Sequence, residues 1–256
     1  MYMIGHPKRQ RESASGRRGK LGPNWVAFGI GLVLLATIVG GQIAIRSSRN
    51  PRVVIGNDEV YYYRRATKED ALALGQALKK MGFFNGRGTS VLLWKGDPTV
   101  VSFVVNQGAW DHPNAISNFS EIGRRIAPLV GGFPIQVHLI DAGRNVRKQM
   151  TVGKAFLGAH DIVYYFGAAT EADANALGRA LQSAGYFTDS GVTVALLKGE
   201  GTVVSFVVQD GVWDEPAAVA TLDALVRRIA PAVGGLPIEV RLLDREMGVR
   251  KVVTVR

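Results

Sequence analysis

The chain predicts an α+β fold: an N-terminal transmembrane helix, then two tandem repeats, each ordered β-α-β-β-α-β-β with two helices on a mostly antiparallel sheet. Three observations predict it. Residues 60–152 match residues 163–255 at a constant offset of 103 with no gap, and roughly half the aligned positions are identical. Residues 99–105 and 202–208 are both Thr-Val-Val-Ser-Phe-Val-Val. Ahead of the repeat, residues 21–45 carry no charge. The predicted organisation is a basic disordered tail over 1–24, a transmembrane helix over 25–45, and α+β repeats over 57–152 and 160–255.

Residues 25–45 are predominantly apolar; as a helix they span about 31 Å, matching a hydrocarbon core of about 30 Å. Trp25 stands where an interfacial aromatic belongs, and Arg46 closes the other end. A cleaved signal peptide is the competing reading. It calls for a shorter apolar core and small residues before a cleavage site, which Gln42-Ile-Ala-Ile-Arg46 does not offer. Six basic residues precede the segment and three (Arg46, Arg49, Arg52) follow it closely. That bias predicts a cytoplasmic N-terminus with both repeats extracytoplasmic. Ala27 with Gly31, and Ala36 with Gly40, are small residues four apart, a spacing that lets two such helices pack as a homodimer.

Asp58–Arg64 opens the first repeat as a strand, rich in Val and Tyr. Thr67-Lys-Glu-Asp70 and Thr170-Glu-Ala-Asp173 then mark helix starts: a hydroxyl to accept a free N–H, and acids facing the helix dipole. Ala71, Leu74, Leu78 and Met81 recur at helical spacing until Gly82, placed to end the helix with positive φ. Ser90–Lys95 and residues 99–106 form a hairpin around Gly96-Asp-Pro98. The second of these runs is apolar almost throughout, which predicts a central strand covered on both faces.

Trp110-Asp-His-Pro113, matched by Trp213-Asp-Glu-Pro216, starts the second helix, with Asp as the expected N-cap and Pro in the first turn. Ile116, Phe119, Ile122, Ile126 and Val130 share one face, and Gly131-Gly132 ends it. Two more strands follow, over 134–141 and 146–152. Residues 153–159 link the repeats, short and apolar enough that the two should touch through a pseudo-twofold or screw relation.

The net charge of +10 suggests nucleic acid until it is located. Residues 1–52 hold nine basic residues and one acid, leaving only +2 on the paired repeats. A surplus flanking an apolar segment is a topology signal, so no nucleic-acid partner is expected. Anionic lipid is a fitting partner for the tail. The chain has no cysteine, which excludes disulfides, thiolate metal sites and a cysteine nucleophile.

No histidine recurs between copies: His112 faces Glu215, His138 faces Arg241 and His160 faces Asn57. No metal, cofactor or catalytic residue is therefore expected, and no nucleophile elbow, phosphate loop or metalloprotease motif is present. Lys95 and Lys198 are expected to be solvated strand ends. Arg124-Arg125 and Arg227-Arg228 should cover apolar surface or pair with acids. Asp141 and Asp244 should organise turns, and Arg147-Lys148 and Arg250-Lys251 should blunt an exposed edge. Trp110, Asp111, Trp213 and Asp214 are the candidate partner contacts, since tryptophan is enriched at binding hot spots. The competing role is a Trp packed across the sheet end while Asp caps the helix.

The leading expectation is a single-pass membrane protein presenting two duplicated α+β domains for protein or envelope-component binding, not an enzyme. The alternatives are a membrane-anchored enzyme or small-ligand receptor with a cleft between the repeats, and a structural subunit of an envelope complex.

Overall fold

Thr67 and Thr170 show how local chemistry starts a helix. Each hydroxyl accepts the N–H three residues on, while the side chain of Asp70 or Asp173 accepts the threonine's own N–H, a complete capping box. The computed structural model describes residues 51–256; the basic tail and the expected transmembrane helix lie outside them. The element order is β1 (Arg52–Ile55), β2 (Asp58–Arg64), α1 (Lys68–Lys80), β3 (Ser90–Lys95), β4 (Thr99–Val104), α2 (Pro113–Val130), β5 (Ile135–Ile140) and β6 (Val146–Leu157). It continues β7 (Asp161–Gly167), α3 (Glu171–Ser183), β8 (Thr193–Lys198), β9 (Thr202–Val207), α4 (Pro216–Val233), β10 (Ile238–Leu243) and β11 (Val249–Val255).

The fold is α+β, with all eleven of these strands in one mixed sheet in sequence order. Antiparallel pairing was expected to dominate. It does, in six of the ten pairings; the other four, β2–β3, β4–β5, β7–β8 and β9–β10, are parallel, because each pair is bridged by a helix, and a helical crossover returns the chain in the same direction. Within each half the two helices touch and share one face. Yet β2 and β4 run oppositely while the chain steps the same way across the sheet. Two right-handed crossovers would then sit on opposite faces, so one crossover in each half is left-handed, against the usual rule.

Residues 153–157, expected as part of a linker, are strand. β6 pairs with β5 through 146–152 and with β7 through 151–157. Its burial changes parity midway: Met150 and Val152 are buried, then Ala155 and Leu157. Val152 packs under α2, where a Cβ on Gly123 would come within 2.9 Å of it. Leu157 packs under α3, filling the hollow at Gly178. Because successive strand residues point to opposite faces, the two helix pairs cover opposite faces of the sheet. A half-turn about an axis running across the strands, with a five-strand shift, superposes the elements of one half on the other.

The first core joins Val60, Leu93, Val101, Phe103, Val137 and Val152, all fully buried, with Phe119 of α2. Phe83 meets Phe103 edge-on at 5.2 Å. The second core repeats this with Val163, Leu196, Val204, Phe206 and Val240, and Tyr186 meets Phe206 edge-on at 5.3 Å. On β4 buried residues alternate with half-buried ones. Among the described residues helices cover only one face there, so the expectation of a strand covered on both faces is corrected.

β1 was not anticipated. It lies antiparallel to β2, and its Ile55 fills the hollow at Gly75 as Leu157 fills that at Gly178, 103 residues on.

Candidate functional site

Asp58 and Asp161 are buried carboxylates that hold a loop from inside. Asp58 accepts backbone N–H bonds from Gly86, Gly88 and Thr89 at 2.7, 3.0 and 2.8 Å. Asp161 accepts the same three from Asp189, Gly191 and Val192 at 2.7, 3.0 and 2.8 Å. Three N–H donors replace the lost water, which lets a charge sit in the interior. Sequence reasoning missed both roles; the signal was an aspartate repeated at the offset just before an apolar strand.

Lys95 and Lys198 are not bare solvated ends. Lys95 Nζ donates to Asp70 Oδ1 at 2.8 Å and Lys198 Nζ to Asp173 Oδ1 at 2.7 Å, tying the strand end to the helix cap. The Lys198 bond, with the Thr170 backbone N–H, draws the Asp173 carboxyl down to about 2. At Asp70 burial opposes, but Lys95 and Thr67 outweigh it and the pKa is again lowered.

At the opposite ends of these strands lie the four candidate contact residues. Trp110 is buried and Trp213 half-buried, while Asp111 and Asp214 are exposed. Arg147 stacks over Trp110 at 5.0 Å and Arg250 over Trp213 at 5.8 Å. Lys251 donates to the Trp213 carbonyl at 2.8 Å. The expected Asp caps are corrected: His112 and Glu215 hold the N-cap positions, with no side-chain cap bond. Pro113 and Pro216 open the helices and lack one of the N–H groups a cap would serve.

The remaining charges hold turns and helix faces. Asp141 accepts the Asn145 N–H, and Asp244 accepts those of Glu246 and Gly248 plus a bond from Arg250. Arg124 and Arg125 both pair with Glu121, and Arg227 pairs with Asp223. The halves also meet here: Arg124 stacks over Tyr164 at 5.3 Å, Phe133 packs on the same ring at 5.7 Å, and Arg241 donates to Ser117 at 3.3 Å. His138 is half-buried on the face without helices, and that burial lowers its pKa.

Among the described residues no group of three or more His, Asp or Glu side chains is placed to hold a metal ion. No family model, no curated protein and no solved structure matches the chain.

Proposed function

We propose that the chain is a single-pass membrane-anchored protein presenting two duplicated α+β domains as an extracytoplasmic binding or scaffold module. The observation that carries this reading is the charge-free segment over 25–45 with six basic residues ahead of it. Among the described residues no helix is long and apolar enough to cross a membrane. The recurring charged residues support a binding role over a reacting one: Asp58, Asp70, Lys95 and Asp141, with their counterparts, are engaged in loops, caps and turns. The proposed contact is the pair of strand-end tips, with Trp110 and Trp213 as rigid supports for the exposed carboxylates of Asp111 and Asp214. A second reading, a subunit of an envelope assembly, is favoured by the outer edge of β11, which pairs with no strand among the described residues.

Two experiments test the proposal. Alkaline extraction should leave the full chain in the membrane, and protease added to intact cells should digest the repeats. Release into the alkaline supernatant overturns the anchor, and protection in intact cells overturns the orientation. For the contact, Asp111→Ala with Asp214→Ala should lose the proteins that co-purify with the wild-type chain, and an unchanged co-purification profile removes the tips from the proposal.

A further inference from the structure

The two copies differ in charge at the strand end where the chain enters the sheet. β1 is antiparallel to β2 with Arg52 opposite Tyr61, and the Tyr62 N–H donates to the Pro51 carbonyl. The chain therefore arrives alongside the C-terminal end of β2. Arg64 lies three residues beyond Tyr61, about 10 Å along the strand. Six residues, 46–51, separate Arg52 from the apolar segment over 25–45. Even fully extended, the step from Ile45 to Arg52 covers no more than about 25 Å.

That end of the first copy is basic and aromatic. Arg64 and Arg65 are exposed, Lys68 follows at the start of α1, and Trp94, opposite Tyr63 in the β2–β3 pair, is 45% exposed. The Arg64 guanidinium stacks over the Trp94 ring at 4.9 Å. The half-buried carboxylates beside them are engaged, Glu59 by Arg52 and Tyr61, Asp70 by Lys95. Among the described residues neither Arg64 nor Arg65 enters an ion pair. In the second copy the positions of Arg64, Arg65, Lys68 and Trp94 hold Gly167, Ala168, Glu171 and Leu197. The exposed acids at this end, Glu69 and Asp97, are matched by Ala172 and Glu200. Arg64 also sits at φ 62°, a left-handed conformation that suits the glycine found at Gly167, where φ is 71°.

We propose that Arg64, Arg65, Lys68 and Trp94 form a contact for anionic lipid headgroups, seating the first repeat on the bilayer that anchors the chain. The matching end of the second repeat, without these residues, does not bind. The inference rests on the reading of 25–45 as the membrane anchor. The short reach to Arg52 brings the patch to the headgroup layer, where clustered Lys and Arg are drawn to acidic lipids and an exposed indole suits the interface. Guanidinium groups without a carboxylate partner take phosphate oxygens instead. Salt screens the attraction, so the contact weakens as ionic strength rises.

The chain has no cysteine, so one introduced thiol reports its own surroundings. Asp97 and Glu200 are matching exposed turn residues, and each can be changed to Cys in the full-length protein and given a fluorophore. In nanodiscs holding about 30 mol% phosphatidylglycerol, a nitroxide on lipid headgroups should quench the Asp97→Cys label about threefold more than the Glu200→Cys label. Arg64→Gly with Arg65→Ala, the residues of the second copy, should remove most of that difference, and so should phosphatidylcholine alone. Arg64→Lys with Arg65→Lys should keep it. Equal quenching of the two labels overturns the inference. So does a difference that survives Arg64→Gly with Arg65→Ala, since the tether alone then accounts for it. Alkaline flotation separates this inference from the reading beneath it. A chain released from phospholipid vesicles loses the anchor and the patch together, whereas a chain that floats with equal quenching loses the patch alone.

Discussion

Lys198 of β8 and Asp173 of α3 meet at 2.7 Å across 25 residues of chain, so one carboxylate caps a helix and anchors a strand end together. Its pKa lies at about 2 in the folded protein against an ordinary 3.8. A depressed carboxylate stabilises the fold fully above its unfolded pKa, and that stability is lost as pH falls through the folded value. Between about pH 4.5 and 2, the wild type should therefore lose about 1–2 kcal/mol from this group, discounted for the pair's partial exposure. Urea midpoints of Asp173→Asn should be lower at pH 7 and converge on the wild type near pH 2. A constant gap across that range refutes the linkage.

Helical glycine to alanine normally stabilises by about 1 kcal/mol. At Gly178 the sign reverses, because the new methyl overlaps Leu157 Cγ in a full core. Gly178→Ala should cost about 1–3 kcal/mol, as overpacking does. Adding Leu157→Ala should restore part of that loss, and a denaturation cycle of the three variants reads the coupling directly. Stabilisation by Gly178→Ala alone would show that the hollow is not filled.

Thr89 Oγ1 is buried with no hydrogen-bond partner among the described residues. The second half has Val192 at the matching place. Removing an unsatisfied hydroxyl without changing shape relieves a desolvation cost, so Thr89→Val should be neutral or stabilise by about 1 kcal/mol. A lower denaturation midpoint would reveal a bond that the hydroxyl makes.

The two tryptophans should separate in cost. Trp110→Ala should destabilise by about 3 kcal/mol, in the range for a buried aromatic, and Trp213→Ala by about half that. The comparison also bears on the proposed contact, because a tip that binds a partner should tolerate Asp111→Ala and Asp214→Ala in folding while losing the partner. Equal, small losses at both tryptophans would place neither in a core.

Much of the fold was legible because two signals are local. Capping chemistry at Thr67 and Thr170, and the ends of the helices at Gly82 and Gly131, depend on neighbours a few residues away, and they stand where the pattern put them. Gly82 takes the positive φ, at 76°, that its place after the helix implied. What was not legible is long-range. Nothing in the sequence near Lys95 announces Asp70 as its partner, and Asp58 acts on a loop about thirty residues away. Residues 153–157 looked like a linker because glycine and alanine lack strand character; they are strand because Gly153 is needed beneath the Tyr165 ring. Asp111 and Asp214 resembled caps because the residue type fits, but the helices begin one residue later. The candidate site was legible only as a location: the stacking of Arg147 and Arg250 on the indoles depends on strand register, which composition does not encode.

The change of buried parity along β6 makes spacer length between the copies a matter of odd and even. One residue added or removed between Val152 and Ala155 would turn the second half over with its own helices, bringing both helix pairs to the same side of the sheet. A duplication joined through a shared strand thus tolerates point changes there more readily than a single-codon insertion.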